Sequence, residues 1–118
     1  MPAGDLKKTL DSSKELEITV TGRKTGKKIT LPIWFVKDGG KLLLLPVRGS
    51  ESNWYQNIKH LPTMRISAGG TSIAAKARPS GSMERAREVA EKFRAKYGAA
   101  DVKKYYSRFD ASVEVTLP

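Results

Sequence analysis

At 118 residues the chain is long enough for one hydrophobic core and is read as one domain, 1–118; its 39% hydrophobic and 29% charged residues suit a folded protein rather than a disordered one. It has no cysteine and one histidine, which removes disulfides, thiolate nucleophiles and Cys- or His-clustered metals and argues against a serine–histidine–aspartate triad. With 22 Lys and Arg against 12 Asp and Glu, the formal charge of +10 serves solubility or attracts anions: nucleic acid, anionic lipid, or a phosphorylated or polycarboxylate small molecule.

Met1 to Leu10 carries Asp5, Lys7 and Lys8 where a signal peptide would be apolar, and the longest apolar run, Leu42 to Val47, is far shorter than a membrane span. Both predict a cytoplasmic protein. From Glu15 to Thr21, Leu16, Ile18 and Val20 alternate with polar residues, the period of a half-buried strand. After a basic turn a second strand is predicted through Ile29, Leu31, Ile33 and Phe35, with Pro32 marking an edge or a bulge. Asp38-Gly39-Gly40 signals a hairpin, and the third strand, Lys41 to Val47, is apolar on both faces, as a central or barrel strand would be.

Ser52 or Asn53 then caps a short predicted helix over Trp54 to Lys59, stopped before Pro62. Strands are predicted over Thr63 to Ala68 and Thr71 to Arg78, joined by Gly69-Gly70. Ser80-Gly81-Ser82 opens the longest helix, whose Met83, Ala86, Val89, Ala90, Phe93 and Tyr97 share one face and which Gly98 ends. A shorter helix is predicted from Asp101 to Phe109, and Ser112 to Leu117 alternates as a last strand. The order implies a mainly β fold with α: about six strands, mostly antiparallel, closed into a small barrel with helices packed outside.

Three segments carry candidate chemistry. In Thr21-Gly22-Arg23-Lys24-Thr25-Gly26-Lys27-Lys28, glycines flank four basic residues; exposed amides with Arg and Lys suit a phosphate or carboxylate, and equally a solvated hairpin turn. In Pro46-Val47-Arg48-Gly49-Ser50 a strand ends in a flexible loop bearing a cation and a hydroxyl. Trp54 follows, either as the wall of a flat pocket or as a staple of its helix to the barrel. Lys103-Lys104-Tyr105-Tyr106-Ser107-Arg108 places two tyrosines where Val102, Tyr105, Tyr106 and Phe109 also have the spacing of a packed helix face. His60 reads as a surface or cap residue.

The succession Thr-Gly-Arg-Lys-Thr-Gly, a proline six residues on, Asp-Gly-Gly, Arg-Gly-Ser and Trp-Tyr-x-Asn-Ile-Lys closely resembles the deazaflavin (F420)-dependent nitroreductases, over about Leu16 to Ile66. These belong to the split β-barrel flavin and deazaflavin oxidoreductases. The resemblance implies a split barrel like that of the FMN-binding proteins, and coenzyme F420 as the hydride carrier. It implies that Arg23, Lys24 and Thr25 hold the coenzyme's phosphate and polyglutamate tail, with Lys28 beside a position that is often basic in the family. It further implies that Val47, Arg48, Gly49 and Ser50 line the ring, with Trp54 next to it and Pro32 and Trp34 on the adjoining strand. In some relatives C-terminal aromatics close over the substrate, which makes Tyr105 and Tyr106 the candidates to orient the acceptor or supply a proton. The sequence departs from the family where Val47-Arg48-Gly49-Ser50 stands in place of Ser-Lys-Gly-Gly and Leu61-Pro62 in place of Asn-Pro.

The function expected on this resemblance is transfer of hydride from reduced F420 to a small acceptor: a quinone, a nitroaromatic or an activated enone. FMN is the alternative coenzyme. A nucleic-acid-binding barrel stacking bases on Trp34, Trp54 and the tyrosines is the alternative without catalysis. A homodimer is expected from the size of the barrel.

Overall fold

The computed structural model describes residues 8–117; the N-terminal residues that argue against a signal peptide lie, up to Lys7, outside them. Strand β1 (Glu15–Thr21) follows its alternation: Leu16, Ile18 and Val20 are buried while Glu15 and Glu17 face solvent. It turns into β2 (Lys28–Trp34) through the basic loop, closed by the Gly22 amide on the Lys27 carbonyl at 2.8 Å and the Gly26 amide on the Gly22 carbonyl at 2.8 Å.

The predicted second strand does not run through Phe35. It ends at Trp34, and a separate strand β3 (Val36–Asp38) begins one residue later, which makes seven strands where about six are predicted. The reason lies in the long helix. Phe35 is fully buried, its N–H donates to the Tyr97 hydroxyl at 3.0 Å, and its carbonyl accepts from Lys96 Nζ at 2.8 Å. A residue whose backbone groups are satisfied by side chains needs no ladder partner, and the chain can turn there.

The ladder of β4 (Lys41–Leu44) also stops before the predicted Val47, although Leu45 and Pro46 remain buried. A 3₁₀ turn (Gly49–Glu51) leads into helix α1 (Asn53–His60), and β5 (Thr63–Ala68) and β6 (Thr71–Ser80) form the next hairpin. Helix α2 (Met83–Tyr97) starts where the Ser82 hydroxyl accepts from the Arg85 amide at 3.2 Å and ends at Gly98, at φ +95°. Helix α3 (Ala99–Tyr105) starts earlier than predicted and ends four residues sooner, before β7 (Ser112–Thr116).

The strands form one antiparallel sheet in the order β2-β1-β5-β6-β7-β4-β3. Its ten-residue strand β6 pairs with β5 through Thr71 to Lys76 and with β7 through Ala77 to Ser80, so it carries the bend between the two halves. The two edge strands, β2 and β3, are neighbours in the chain and meet at Phe35 without pairing. The sheet therefore curls on itself and stays open along one seam: a split barrel, mainly β with α.

Two cores explain why β4 is apolar on both faces. Leu42 and Leu44 join Ile18, Phe35, Ile66 and Val115 inside the barrel, where Trp54, Tyr55 and Ile58 of α1 also pack. Leu43 and Leu45 face outward against Val89, Phe93 and Val102 of α2 and α3. Each such leucine contributes roughly 1.5–3 kcal/mol by leaving water. Thus α2 and α3 lie outside the barrel as predicted, whereas α1 contributes side chains to its interior core.

Candidate functional site

A cleft of about 710 Å³ runs along the open edge of β2. Pro32 is suited to that edge, since it has no N–H to offer a ladder. Five consecutive or near-consecutive residues of β2, from Ile29 to Trp34, line one side; Asn53, Trp54 and Asn57 of α1 and the Leu45 to Ser52 connection line the other, with Tyr105 and Tyr106 at the Trp34 end.

Of the residues singled out in the sequence, Pro32, Trp34, Val47, Arg48, Trp54, Tyr105 and Tyr106 all line this cleft. Gly49 and Ser50 do not. Ser50 is turned to Asp110, its amide donating at 2.8 Å and its hydroxyl at 2.6 Å, and Gly49 packs against Arg108 and Asp110. Their part in the cleft is to set the course of the loop that presents Val47 and Arg48.

Arg23 closes the other end without lining the cleft. Its amide donates to Asn57 Oδ1 at 3.1 Å and its guanidinium to the same oxygen at 2.8 Å. Asn57, 4% exposed, is therefore the joint between the basic turn and the cleft wall. The Trp-Tyr-x-Asn motif contains it without giving it a role, though an amide on the apolar side of an eight-residue helix is a signal for one. Lys24 and Thr25 are exposed on the turn, where the Thr25 hydroxyl accepts from the Lys27 amide at 3.3 Å; Lys28 Nζ donates to the Thr21 hydroxyl at 2.8 Å. Among the described residues no carboxylate pairs with Arg23, Lys24 or Lys28, so the positive charge at this end is uncancelled; Arg48, on the loop beside the tyrosine segment, has no carboxylate partner among them either.

The opposite end is aromatic. The Trp34 ring stacks on Tyr97 at 4.2 Å and 9°, and the Tyr105 ring meets Trp34 edge-on at 5.5 Å and 80°. Tyr106 is buried against Phe93 and Phe109, and this burial pushes its phenol well above the usual range, with the nearby Tyr97 adding to the shift. Tyr105, half exposed, stands at the mouth. Glu15 is the one carboxylate of the lining, and His60 lies outside it. The arrangement offers a flat apolar slot with phenol and guanidinium groups on its rim, and it holds no carboxylate–histidine pair for acid–base chemistry of its own.

The residues present fit a coenzyme with a flat ring and an anionic tail: Trp34 with Tyr105 and Tyr106 at one end, Trp54 on the α1 side, and uncancelled cations at the Arg23 end. Among the described residues, no helix is long and apolar enough to cross a membrane.

Residues 5–116 match the family described as "Uncharacterized protein conserved in bacteria (DUF2255)". Among solved structures, the F420-H2 dependent reductase FDR-A is similar, with a TM-score of 0.65 at 25% identity over 86% of this chain and 93% of its own. The conserved hypothetical protein Rv2991 of Mycobacterium tuberculosis is similar over 100% of this chain and 80% of its own, at 16% identity and a TM-score of 0.71. HutZ, the heme storage protein of Vibrio cholerae, matches over 98% of this chain and 88% of its own, at 13% identity and a TM-score of 0.70. At such identities the last two likenesses concern the fold alone. That fold serves a reductase and a storage protein alike, so the chemistry has to be argued from the cleft.

Proposed function

Since the chain belongs to the DUF2255 family of bacterial proteins and carries this cleft, we propose that it is an oxidoreductase that uses reduced coenzyme F420 to transfer hydride to a small acceptor, a quinone, a nitroaromatic or an activated enone. The observation that carries the reading is the polarity of the cleft: an aromatic slot at the Trp34 end and uncancelled cations at the Arg23 end. The similarity to an F420-H2 dependent reductase at 25% identity supports it.

When bound, the coenzyme supplies the hydride. The chain's own residues bind and orient. Arg23, Lys24 and Lys28, with the Thr25 hydroxyl, hold the phosphate and tail; Asn57 keeps Arg23 docked on α1. Pro32, Trp34, Val47, Arg48 and Trp54 hold the ring, while Gly49 and Ser50 shape the loop behind it. Tyr105, exposed at the mouth, is placed to orient an acceptor oxygen or give a proton; Tyr106, packed and held neutral by burial, keeps the slot in shape. FMN would share the ring slot, but its single phosphate leaves most of the cationic turn unused.

Turnover tests the reading. Purified protein with reduced F420 and menadione should return the oxidised coenzyme's absorbance in proportion to protein, and Tyr105→Phe should slow it by about 10-fold or more if the phenol gives the proton. Oxidation at the protein-free rate would refute the enzymatic role.

A further inference from the structure

The loop that presents Val47 and Arg48 and the segment that follows Tyr105 and Tyr106 run side by side in parallel. The Ser107 amide and hydroxyl donate to the Val47 carbonyl at 2.9 and 3.2 Å, and Arg108 forms a parallel bridge with Arg48. Two residues further the pairing continues through a side chain: Asp110 accepts from the Ser50 amide at 2.8 Å and the Ser50 hydroxyl at 2.6 Å. Ser107 with Val47 and Asp110 with Ser50 are each 60 residues apart, so the register holds along the strip.

We propose that Asp110 is a positioning residue for the cleft, its carboxylate latching the Val47–Arg48 wall to the tyrosine wall. The charged and titratable groups around it fit that role. Arg108 Nε donates to Asp110 at 2.9 Å and its Nη1 pairs with Glu51 at 3.3 Å, so the second segment is tied to the loop twice over. Tyr55 of α1 lies near enough that Asp110 adds to the rise of its phenol pKa, behind burial. The Ser50 hydroxyl, then the Ser50 amide and Arg108, hold the Asp110 carboxyl below the usual carboxylate range against a smaller opposing effect of burial, which keeps the latch charged at neutral pH. Gly49 belongs to the same device: at φ +57° it passes so close that a Cβ would lie 2.1 Å from Asp110 Oδ1. The consequence for ligand binding rests on the function proposed above; the latch itself does not.

The test is amide hydrogen exchange on the full chain without coenzyme, comparing the native protein with Asp110→Asn and Ser50→Ala. Both variants should speed exchange of the Ser107 amide roughly tenfold, the scale of one lost charge-assisted hydrogen bond, while the Ile18 amide of β1 keeps its native rate. The double variant should add little to either single one, since the two residues act as one contact. The Asp110 carboxyl, followed by its side-chain carbon resonance, should titrate below the usual carboxylate range in the native chain and move up towards it in Ser50→Ala. An unchanged Ser107 rate in both variants would overturn the proposal, because Asp110 would then hold only its own neighbour. If Asp110→Asn fails to fold, Ser50→Ala carries the comparison. Titration with F420 and FMN then separates the two readings: weaker binding of both in the variants extends the latch to the ligand, whereas a native chain that binds neither would sink the coenzyme reading and leave the exchange result standing.

Discussion

Gly49 sits at φ +57° with no room for a side chain, since a Cβ there would also lie 2.9 Å from Arg108 Cγ. Gly49→Ala should therefore lower stability by about 1–3 kcal/mol in urea unfolding; an unchanged midpoint would show that the loop is free to move away. Tyr97 makes a different kind of prediction. Burial pushes its phenol up to about 12 against the ordinary 10.0, a smaller rise coming from Glu15 and the hydrogen bond to Phe35 pulling the other way. A raised folded pKa means that the native state holds the proton longer, so this stabilisation is full below pH 10.0 and is lost as pH climbs towards 12. Tyr106 acts in the same direction, and Lys96, lowered by burial, in the opposite one. Comparing Tyr97→Phe with the native chain isolates the Tyr97 part: the native chain's advantage should shrink between about pH 10 and pH 12 in denaturant unfolding, and a constant difference would contradict it.

At the scale of elements, Asn57 joins the β1–β2 turn to α1 through two hydrogen bonds to Arg23. Asn57→Ala should leave the helix in place but free the turn, which weakens F420 binding by roughly tenfold while changing FMN binding less; equal losses for both would show that the turn does not hold the tail. Much of this layer was legible in the sequence. Strict alternation in β1, glycine pairs at the hairpins, and the Ser82 and Gly98 ends of α2 are local signals with local causes. The failures have tertiary causes. Phe35 fits a strand by pattern and leaves it because Tyr97 and Lys96, about sixty residues later, take its N–H and carbonyl. The four leucines of β4 and its extension reveal burial on both sides but not which layer each faces. Arg48 and Trp54 stand out by residue type and Tyr105 by the resemblance, whereas Asn57, which the Trp-Tyr-x-Asn motif contains without giving it a role, and Asp110 show theirs only in the fold, beside Arg23 and Ser50. The resemblance puts Ser50 beside the ring; in the fold its amide and hydroxyl donate to Asp110 and it does not line the cleft.

For the molecule as a whole, the formal charge of +10 is attractive to any polyanion, so affinity for nucleic acid or for an acidic coenzyme falls with added salt in either case. What separates a built site from general attraction is the combination of charge with the aromatic slot along the unpaired β2 edge. A ligand held only by charge would be indifferent to Trp34 and Trp54. A ligand held by both ends should need the ring and the tail together. The most direct measurement is titration of the purified chain with F420 and FMN in parallel, followed by fluorescence at moderate salt. The account predicts tighter binding of F420, at a Kd of about 1 μM or below, corresponding to roughly −8 kcal/mol. Preference for FMN, or binding of neither, would contradict it.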